Sequence, residues 1–493
     1  MESNILCRGF SFSLLFVVLG SATISNATSE GIISVLSVGS VVYWPRVDVS
    51  VNVSRAVGSN YLSLGTEIDY EWKQWIDSPV QRELVSSASF KLVRFFDFKN
   101  TSPLLKPCTY WNESARTGTW NWINVDIFVQ RVFTVGAEPL ICLGWATDHT
   151  QSFIPAGMII NATTGLPNPM SWAAYCKEFV KHFKATSMPV RFYETMNEPW
   201  AYFGWNDYTK LANFMAVFNA AAQAMRTEDP NVLVSFDGTN RKPVLNYWLA
   251  NGGADLDFIS FHKYDCGTIG YYSDATMLAR AETFQIETSS DYYGVQDSRQ
   301  VYHNARGKWI PAINSESNYD SVCDVGSDPK IQDIVGAVWT ALLLRKGVLV
   351  GLNYSVYFTF SSSASWEKAN KATGGLGFGM VNSDDNKPWY PYYVQKILGS
   401  NLSVGDVLFE TTCSSSDMRA LAWLHDGHLK LLLICRTDRT YAVHLNGITG
   451  NFDVMRIDNT IPWNNPARAV QTGAIDATQT FVVQGYTIAL LSS

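Results

Sequence analysis

The sequence WINVDIFVQRVFTVGAEPLICLGW (residues 122–145) decides the fold class, because it joins an amphipathic helix to a buried strand. Apolar residues recur at helical spacing over 122–136, and a glycine ends that pattern. The run 138–145 is apolar almost throughout, which is typical of a strand covered on both faces in a parallel sheet. This pairing of helix and strand predicts an α/β protein.

The same unit recurs in both directions along the chain. Eight strand-like runs, each followed by a helical pattern, cover residues 61–69, 90–98, 138–145, 190–197, 231–238, 256–264, 309–316 and 348–358. Eight such units are the repeat of a (β/α)8 TIM barrel, and we assign residues 61–400 to it.

Residues 401–493 follow a different pattern. Short apolar runs alternate with Asp-Gly, Asn-Gly or polar turns, and helical periodicity is absent, which predicts a C-terminal β-sandwich. Residues 28–60 are also strand-like, and we expect them to join that sandwich. A second domain is also expected from length, because 493 residues exceed the ~250–300 residues at which single cores stop growing.

The N-terminal residues 1–27 have the layout of a secretory signal, with Arg8 followed by an apolar run that ends at Gly20 and by small residues. We therefore expect a secreted, extracellular protein, with an uncleaved N-terminal anchor as the alternative. The net charge of −7 and the lack of a long basic run argue against nucleic acid and against other membrane contacts as partners. Sequons fit export and occur at Asn52, Asn100, Asn112, Asn161, Asn353 and Asn401.

Seven cysteines remain beyond this signal, so at least one thiol is free. The first candidate disulfide joins Cys413 to Cys435, which flank a hairpin-like stretch, and the second joins Cys266 to Cys323. No CxxC motif or Cys/His cluster suggests a metal site. We expect neither a metal nor an organic cofactor.

The active site of such a barrel lies at the C-terminal ends of its strands. The fourth predicted strand leads into Asn197-Glu198-Pro199, and the seventh ends at Glu316. Two carboxylates on opposed strands suit glycoside hydrolysis, because one protonates the leaving oxygen while the other attacks the anomeric carbon. Taken alone, Asn-Glu-Pro is an ordinary strand terminator. Because carboxylates, Asn, His and Tyr side chains all fall at the same end of the predicted strands, we predict Glu198 and Glu316 as the catalytic pair.

Other strand ends supply supporting side chains. Asn197 can donate to a sugar hydroxyl beside the reacting carbon. We expect Arg94 and Tyr264 to contact Glu316 and keep it ionised. Arg94 is also one of the predicted substrate-binding residues. His262 ends the sixth strand and is either a substrate contact or a core histidine.

Two further expectations concern the carboxylates of the fourth strand and its end. Glu194 lies in the middle of the fourth strand, where we expect a buried structural partner. Glu198, as the acid, requires a raised pKa from a dry and negatively charged setting.

Aromatic residues make up 13% of the chain, and indole rings stack on the apolar face of a pyranose. Trp145, Trp200 and Trp366 lie on or just after strand ends and are predicted sugar contacts, with loop packing as the alternative. The segment SSSASWEKANKATGGLGFG (residues 361–379) is rich in Gly and Ser and is a candidate mobile lid.

Five segments together resemble the clan A retaining glycoside hydrolases, and within that clan family 39, the β-xylosidases and α-L-iduronidases. They are LVRFFDF (92–98), residues 122–145, RFYETMNEPWAYFGW (191–205), LDFISFHKYD (256–265) and WIPAINSESN (309–318). The resemblance covers about residues 61–400. It implies acid/base catalysis by Glu198, nucleophilic attack by Glu316, and substrate contacts by Asn197, His262 and Tyr264.

Two departures from that family concern the choice of sugar. Met196 stands where the family usually has a tryptophan, and Tyr357, Phe358 and Phe360 stand where many clan members have a tryptophan on strand eight. We therefore expect a secreted retaining glycosidase whose partner is an oligo- or polysaccharide substrate. The alternatives are an endo-acting glycanase of the same clan and a non-catalytic carbohydrate-binding surface protein on the same barrel.

Overall fold

The computed structural model describes residues 43–68, 71–95, 106–144, 154–204, 206–267, 270, 272–283, 291–322, 326–460 and 470–493. Residues 44–493 form one compact unit. The predicted signal at residues 1–27 lies outside the described residues.

Strands within these ranges are short, apart from the first. They are β1 (Arg46–Ser59), β2 (Ser63–Glu67), β3 (Leu92–Phe95), β4 (Cys108–Asn112), β5 (Thr117–Trp120), β6 (Glu138–Cys142), β7 (Phe192–Glu194), β8 (Leu233–Ser235), β9 (Ile259–Cys266), β10 (Ala312–Asp320), β11 (Tyr354–Tyr357), β12 (Ser361–Ser362), β13 (Val381–Asn382), β14 (Lys387–Pro388), β15 (Val407–Cys413), β16 (Met418–His425), β17 (His428–Cys435), β18 (Tyr441–Asn446), β19 (Asn451–Ile457), β20 (Gln471–Asp476), β21 (Phe481–Val483) and β22 (Ile488–Ser492).

Helices alternate with the strands before residue 400. They are α1 (Trp72–Asp77), α2 (Pro79–Ser87), α3 (Ile123–Thr134), α4 (Pro169–Ala185), α5 (Trp200–Phe203), α6 (Tyr208–Glu228), α7 (Lys242–Ala250), α8 (Asp274–Ala281), α9 (Val295–Arg306), α10 (Ile334–Leu349), α11 (Ala364–Asn370) and α12 (Tyr390–Gly399), with a 3-10 turn at Pro329–Ile331. In the part of the chain that the structure describes, no helix has both the length and the apolarity of a membrane span.

Eight parallel strands form the predicted barrel, in the order β8-β7-β6-β3-β2-β11-β10-β9. A parallel bridge between Asp237 and Ser260 joins the two ends of this sheet and closes it. Six buried apolar side chains fill the interior, each in a barrel strand or just before one: Leu92, Leu140, Phe192, Phe258, Ile313 and Val356. The predicted (β/α)8 fold is confirmed.

The eighth strand begins later than predicted, at Tyr354 rather than residue 348. Residues 348 and 349 instead complete α10, which is buried on nearly all sides and apolar around its whole circumference. Such a helix shows no amphipathic period, so sequence alone cannot separate its end from a following apolar strand. Two other strands end later than predicted, since β9 continues to Cys266 and β10 to Asp320.

A nine-stranded, mostly antiparallel sheet forms the C-terminal domain, in the order β20-β19-β22-β17-β16-β15-β1-β18-β21. The N-terminal strand β1 belongs to it, antiparallel to β15 and parallel to β18. Alternation along β16 places Ala420 and Ala422 in the core of this domain, and Leu421 and Trp423 in the core shared with the barrel. The two domains therefore share one apolar interface, and the predicted fold class is confirmed.

The predicted disulfide between Cys413 and Cys435 is wrong, since both thiols are free. β16 lies between β15 and β17, and its Met418 pairs directly with Cys435. Two strand spacings of ~4.8 Å separate the outer strands, whereas a disulfide requires Cα atoms within ~7 Å. Cys323, the predicted partner of Cys266, lies outside the described residues.

Candidate active site

The two predicted catalytic glutamates face each other at the carboxyl end of the barrel. One side-chain oxygen of Glu198, one of Glu316 and one ring nitrogen of His262 lie within 4.8 Å of one another. Glu316 is in β10, and Glu198 lies four residues beyond the end of β7. The barrel thus brings together three side chains that are distant in the sequence.

Local backbone irregularities aim both glutamates into the site. Glu198 has a positive φ of 42°, a conformation that costs a non-glycine residue ~1–3 kcal/mol. Beside it, the backbone N–H of Asn197 donates to the carbonyl of Gly144 at 2.6 Å. Glu316 follows a register shift of β10 against β9, between Asn314 and Glu316. Bulges of this kind redirect a strand side chain, and they are frequent beside active sites.

Arg94 is the fully buried hub beneath this site. Its guanidinium donates to Glu316 Oε1 and Asn197 Oδ1 at 2.6 Å, to Glu67 Oε2 at 2.7 Å and to Glu194 Oε2 at 2.8 Å. Burial lowers the pKa of Arg94, but the charges of the three glutamates outweigh it and hold that pKa well above its usual range. The predicted contact of Arg94 with Glu316 is present. The predicted substrate contact is not, because Arg94 is fully buried and positions Asn197 and Glu316 instead.

Glu194 is the buried structural partner that the sequence predicted. It lies in β7 and is fully buried. It accepts hydrogen bonds from Arg94 and from the hydroxyl of Ser260. Glu67, at the end of β2, was not predicted as part of this network. Its sequence context, a Thr-Glu pair at a strand end, carried no distinguishing signal.

The second oxygen of Glu316 contacts β9. Tyr264 donates its hydroxyl to Glu316 Oε2 at 2.7 Å, and His262 Nδ1 lies 3.4 Å from the same oxygen. His262 and Tyr264 are two residues apart and therefore lie on the same face of β9. Glu316 is nearly buried, with 6% of its side chain exposed. Hydrogen bonds from Arg94 and Tyr264 thus fix the orientation of both Glu316 oxygens.

Glu198 has a different environment. Its side chain is 24% exposed, and its Oε1 lies 3.0 Å from His262 Nδ1. Burial raises the pKa of Glu198, but the hydrogen bond and charge of His262, together with the charges of Arg94 and Arg241, outweigh burial and lower that pKa below its usual value. The predicted raised pKa of the acid is therefore wrong for this arrangement, because the sequence could not show that His262 contacts this carboxylate.

His262 carries the cationic charge between the two glutamates. Burial lowers its pKa, but Asp237, Glu316 and Glu198 outweigh burial and raise it to about 10. The ring is therefore an imidazolium at neutral pH. Its Nε2 lies 3.7 Å from Asp237 Oδ1.

Asp237 is the main site residue that the sequence did not reveal. It is fully buried just after β8, and burial first, then the charges of Glu198 and Glu194, raise its pKa to about 6 against the opposing effect of His262. The available signal was its place at the end of the predicted strand 231–238. An Asp-Gly pair there is also an ordinary turn.

The predicted aromatic contacts fall into three cases. The Trp200 indole donates to Asp237 Oδ2 at 2.9 Å, and the Arg241 guanidinium lies 4.3 Å from the centre of its ring, so Trp200 lies beside Asp237 at the edge of the candidate site. Trp366 is exposed in α11 and lines a separate cavity. Trp145 lies outside the described residues.

Glu198, His262 and Glu316 are also the type of side chains that bind metal ions. In this structure their ligand-type oxygens accept hydrogen bonds from protein donors instead, Glu316 from Arg94 and Tyr264, and Glu198 from His262. The positive charge of the His262 ring balances part of the negative charge of the two carboxylates. We therefore interpret this cluster as an acid–base group.

The sequence profile described as Glycosyl hydrolases family 39 matches residues 57–398, more than two thirds of the chain. The chain belongs to glycosyl hydrolase family 39. It is thus a glycoside hydrolase, as the paired glutamates and the five quoted segments predicted, and a carbohydrate is its class of substrate. A comparison with curated proteins finds no relative of this family 39 chain.

Solved structures share the fold of this family 39 protein over its barrel and sheet domain. A monomeric β-xylosidase from Caulobacter crescentus CB15 matches with a TM-score of 0.59 and 15% identity, over 90% of this chain and 99% of that chain. A GH39 enzyme from Xanthomonas axonopodis pv. citri matches with a TM-score of 0.62 and 14% identity, over 90% and 96%. An α-L-arabinofuranosidase from Thermotoga maritima matches with a TM-score of 0.60 and 14% identity, over 91% and 99%. Identities at this level show the fold alone.

Proposed function

We propose that the protein is a secreted retaining glycosidase in which Glu316 is the nucleophile and Glu198 the acid/base. The observation that carries this proposal is the approach of their carboxylate oxygens to within 4.8 Å. Retaining enzymes hold their two carboxyl groups ~5–5.5 Å apart, whereas inverting enzymes leave ~6.5–9.5 Å for a water molecule. The short separation also disfavours the non-catalytic alternative. Secretion rests on the sequence of residues 1–27.

The different environments of the two carboxylates support these roles. Glu316 is nearly buried and receives hydrogen bonds from Arg94 and Tyr264, which suits an ionised nucleophile aimed at the anomeric carbon. Glu198 is more exposed and contacts a protonated His262, which suits a group that exchanges protons with the leaving oxygen and with water.

Contact with His262 explains how Glu198 can deliver a proton although its own pKa is lowered. At neutral pH the two groups together hold one acid proton, which rests on His262 Nδ1 because that pKa is about 10. Protons shared by a contacting pair belong to the pair rather than to one residue. When the leaving oxygen approaches, this proton passes through Glu198 to that oxygen.

The reaction then proceeds by double displacement. In the first step the bond from the anomeric carbon to the leaving oxygen breaks, a bond to Glu316 forms, and the leaving group departs with the proton. In the second step a water oxygen replaces Glu316 on that carbon, and the water proton returns to Glu198 and His262. Arg94 fixes the amide oxygen of Asn197, and the amide nitrogen then serves as a donor to the neighbouring sugar hydroxyl.

Hydrolysis of a panel of 4-nitrophenyl glycosides by the purified protein tests this proposal. Glu316→Gln keeps the side-chain shape and removes the nucleophile, so kcat should fall by ~10⁴-fold or more. Glu410→Gln is the matched control and should retain full activity, because Glu410 lies on the sheet domain and contacts Arg55 and Asn52 there. A Glu316→Gln variant within ten-fold of the natural protein would show that the assignment is wrong.

A further inference from the structure

A second cavity, of about 370 Å³, lies over the carboxyl ends of β10, β11 and β2. Ligand pockets in proteins typically enclose ~300–1,000 Å³. Segments that follow these three strands line it, including Glu71, Ser327, Phe358, Trp366, Glu367 and Lys371. Its walls thus come from the same end of the barrel as the catalytic pair.

Phe358 connects this cavity to the proposed nucleophile. The Phe358 ring centre lies 6.1 Å from that of Tyr264, and Tyr264 donates to Glu316. Glu198 follows β7, which β6, β3 and β2 separate from β11. The leaving group must lie beside the acid Glu198, so the cavity lies on the opposite side, with the sugar that becomes bonded to Glu316.

The outer wall is segment 361–379, which the sequence suggested as a mobile lid. In the structure it contains α11, and three hydrogen bonds fix it to the segment after β10. Thr373 donates to the Ser327 carbonyl, the Gly377 N–H donates to Ser327 Oγ (both 2.9 Å), and Gln332 Nε2 donates to the Gly377 carbonyl at 2.6 Å. The cavity is therefore built into the fold.

The chemistry of the lining suits an uncharged sugar. Trp366 is 52% exposed and offers an indole face, on which the apolar face of a pyranose can stack. Burial, then the charges of Asp384 and Glu367, raise the pKa of Glu71, and burial raises that of Glu367. Lys371 also lines the cavity, and its ammonium lies 5.7 Å from the centre of the Trp366 ring. The lining thus offers a cationic donor beside two carboxyl acceptors, which suits the hydroxyl groups of a neutral sugar.

We propose that this cavity is a subsite for a second, uncharged sugar unit attached to the sugar that reacts with Glu316. The inference rests on the proposed function. With this subsite, the enzyme removes a disaccharide or longer unit from its substrate and acts on chains that extend beyond the cleaved residue. This favours endo-type cleavage over release of single terminal sugars.

Matched pairs of 4-nitrophenyl substrates test the subsite: β-xyloside with β-xylobioside, and β-glucoside with β-cellobioside. For the preferred pair, kcat/KM should be at least ten-fold higher with the disaccharide, and the disaccharide should be the first product. Trp366→Ala should remove most of this advantage and leave the monosaccharide substrate within two-fold. Trp309→Ala is the control, because Trp309 is equally exposed, at 52%, just before the amino end of β10.

The outcomes separate the two proposals. Release of a single sugar together with 4-nitrophenyl monoglycoside as the first products would overturn the subsite and leave the glycosidase intact. Equal losses on both substrates in Trp366→Ala would overturn it as well. Absence of hydrolysis on every substrate would overturn the proposed function, and the subsite with it.

Discussion

Replacement of Asp237 by asparagine should lower the pKa of His262. Asp237 is the first of the charges that raise this pKa, and its Oδ1 lies 3.7 Å from His262 Nε2. Its other oxygen accepts a hydrogen bond from Trp200, which the amide oxygen of asparagine preserves. The substitution therefore removes one buried charge with little change in shape.

The size of the effect follows from this distance. At 3.7 Å and an effective dielectric constant of ~20, two unit charges interact by about 4 kcal/mol, or about 3 pKa units. That figure is an upper bound, because the asparagine dipole and local relaxation recover part of it. The pKa of His262 should therefore fall from about 10 by about 1–3 units.

Histidine Cε1 NMR signals, followed from pH 5 to 11, measure this pKa directly, and His262→Gln assigns the signal. The alkaline limit of kcat/KM should move to lower pH by the same amount, because the pair then loses its shared proton earlier. Stability provides an independent readout. The pKa of His262 is about 10 in the folded protein and ~6.5 when unfolded, so its stabilisation is complete below ~6.5 and is lost as pH rises through about 10. In Asp237→Asn that loss should begin at lower pH.

Asp426→Asn is the control for a general change in charge, since Asp426 is 87% exposed in the sheet domain. It should leave the His262 titration unchanged. If Asp237→Asn shifts that titration by less than 0.5 unit, the charge of Asp237 does not set the protonation of His262. A shift to higher pH would contradict the electrostatic reasoning altogether.

Three further outcomes are expected. Glu282 accepts hydrogen bonds from Arg345, Arg419 and Arg436 and ties the barrel to the sheet domain. Glu282→Gln should therefore lower the free energy of unfolding in urea by about 3 kcal/mol. The control Glu410→Gln should lower it by less than about 1 kcal/mol, because the arginine partner of Glu410 is 66% exposed. Tyr264→Phe removes one hydrogen bond to the proposed nucleophile and should lower kcat by about 10- to 100-fold in steady-state assays, while a cooperative urea transition shows that the variant remains folded. Alkylation of unfolded, unreduced protein followed by mass spectrometry should modify both Cys413 and Cys435, and protection of the two together would contradict the observed strand order.

The barrel was predictable from the sequence because its physical signals are local. Continuous apolar runs marked strands buried on both faces, and glycines marked helix ends, as at Gly136. The candidate pair followed from one geometric rule, since Glu198 and Glu316 lie at the ends of the predicted fourth and seventh strands, on the face where barrel active sites lie. Tyr264 and Arg94 contact Glu316 as expected.

Features that depend on contacts between distant segments were not predictable. The order of β15, β16 and β17 excludes the disulfide, and no local pattern encodes that order. The apolar circumference of α10 hid the start of β11. The lowered pKa of Glu198 depends on His262 and the charge on His262 depends on Asp237, so the sign of the shift required the three-dimensional arrangement.

Azide rescue of Glu316→Gly tests the central claim most directly. The variant should be inactive on an activated aryl glycoside, because it lacks the nucleophile. Azide should restore turnover by occupying the space of the missing carboxylate, and NMR should show a glycosyl azide with inverted anomeric configuration. The natural protein should release sugar with retained configuration. Retained configuration in the azide product, or an inverted first product from the natural protein, would contradict Glu316 as the nucleophile of a retaining enzyme.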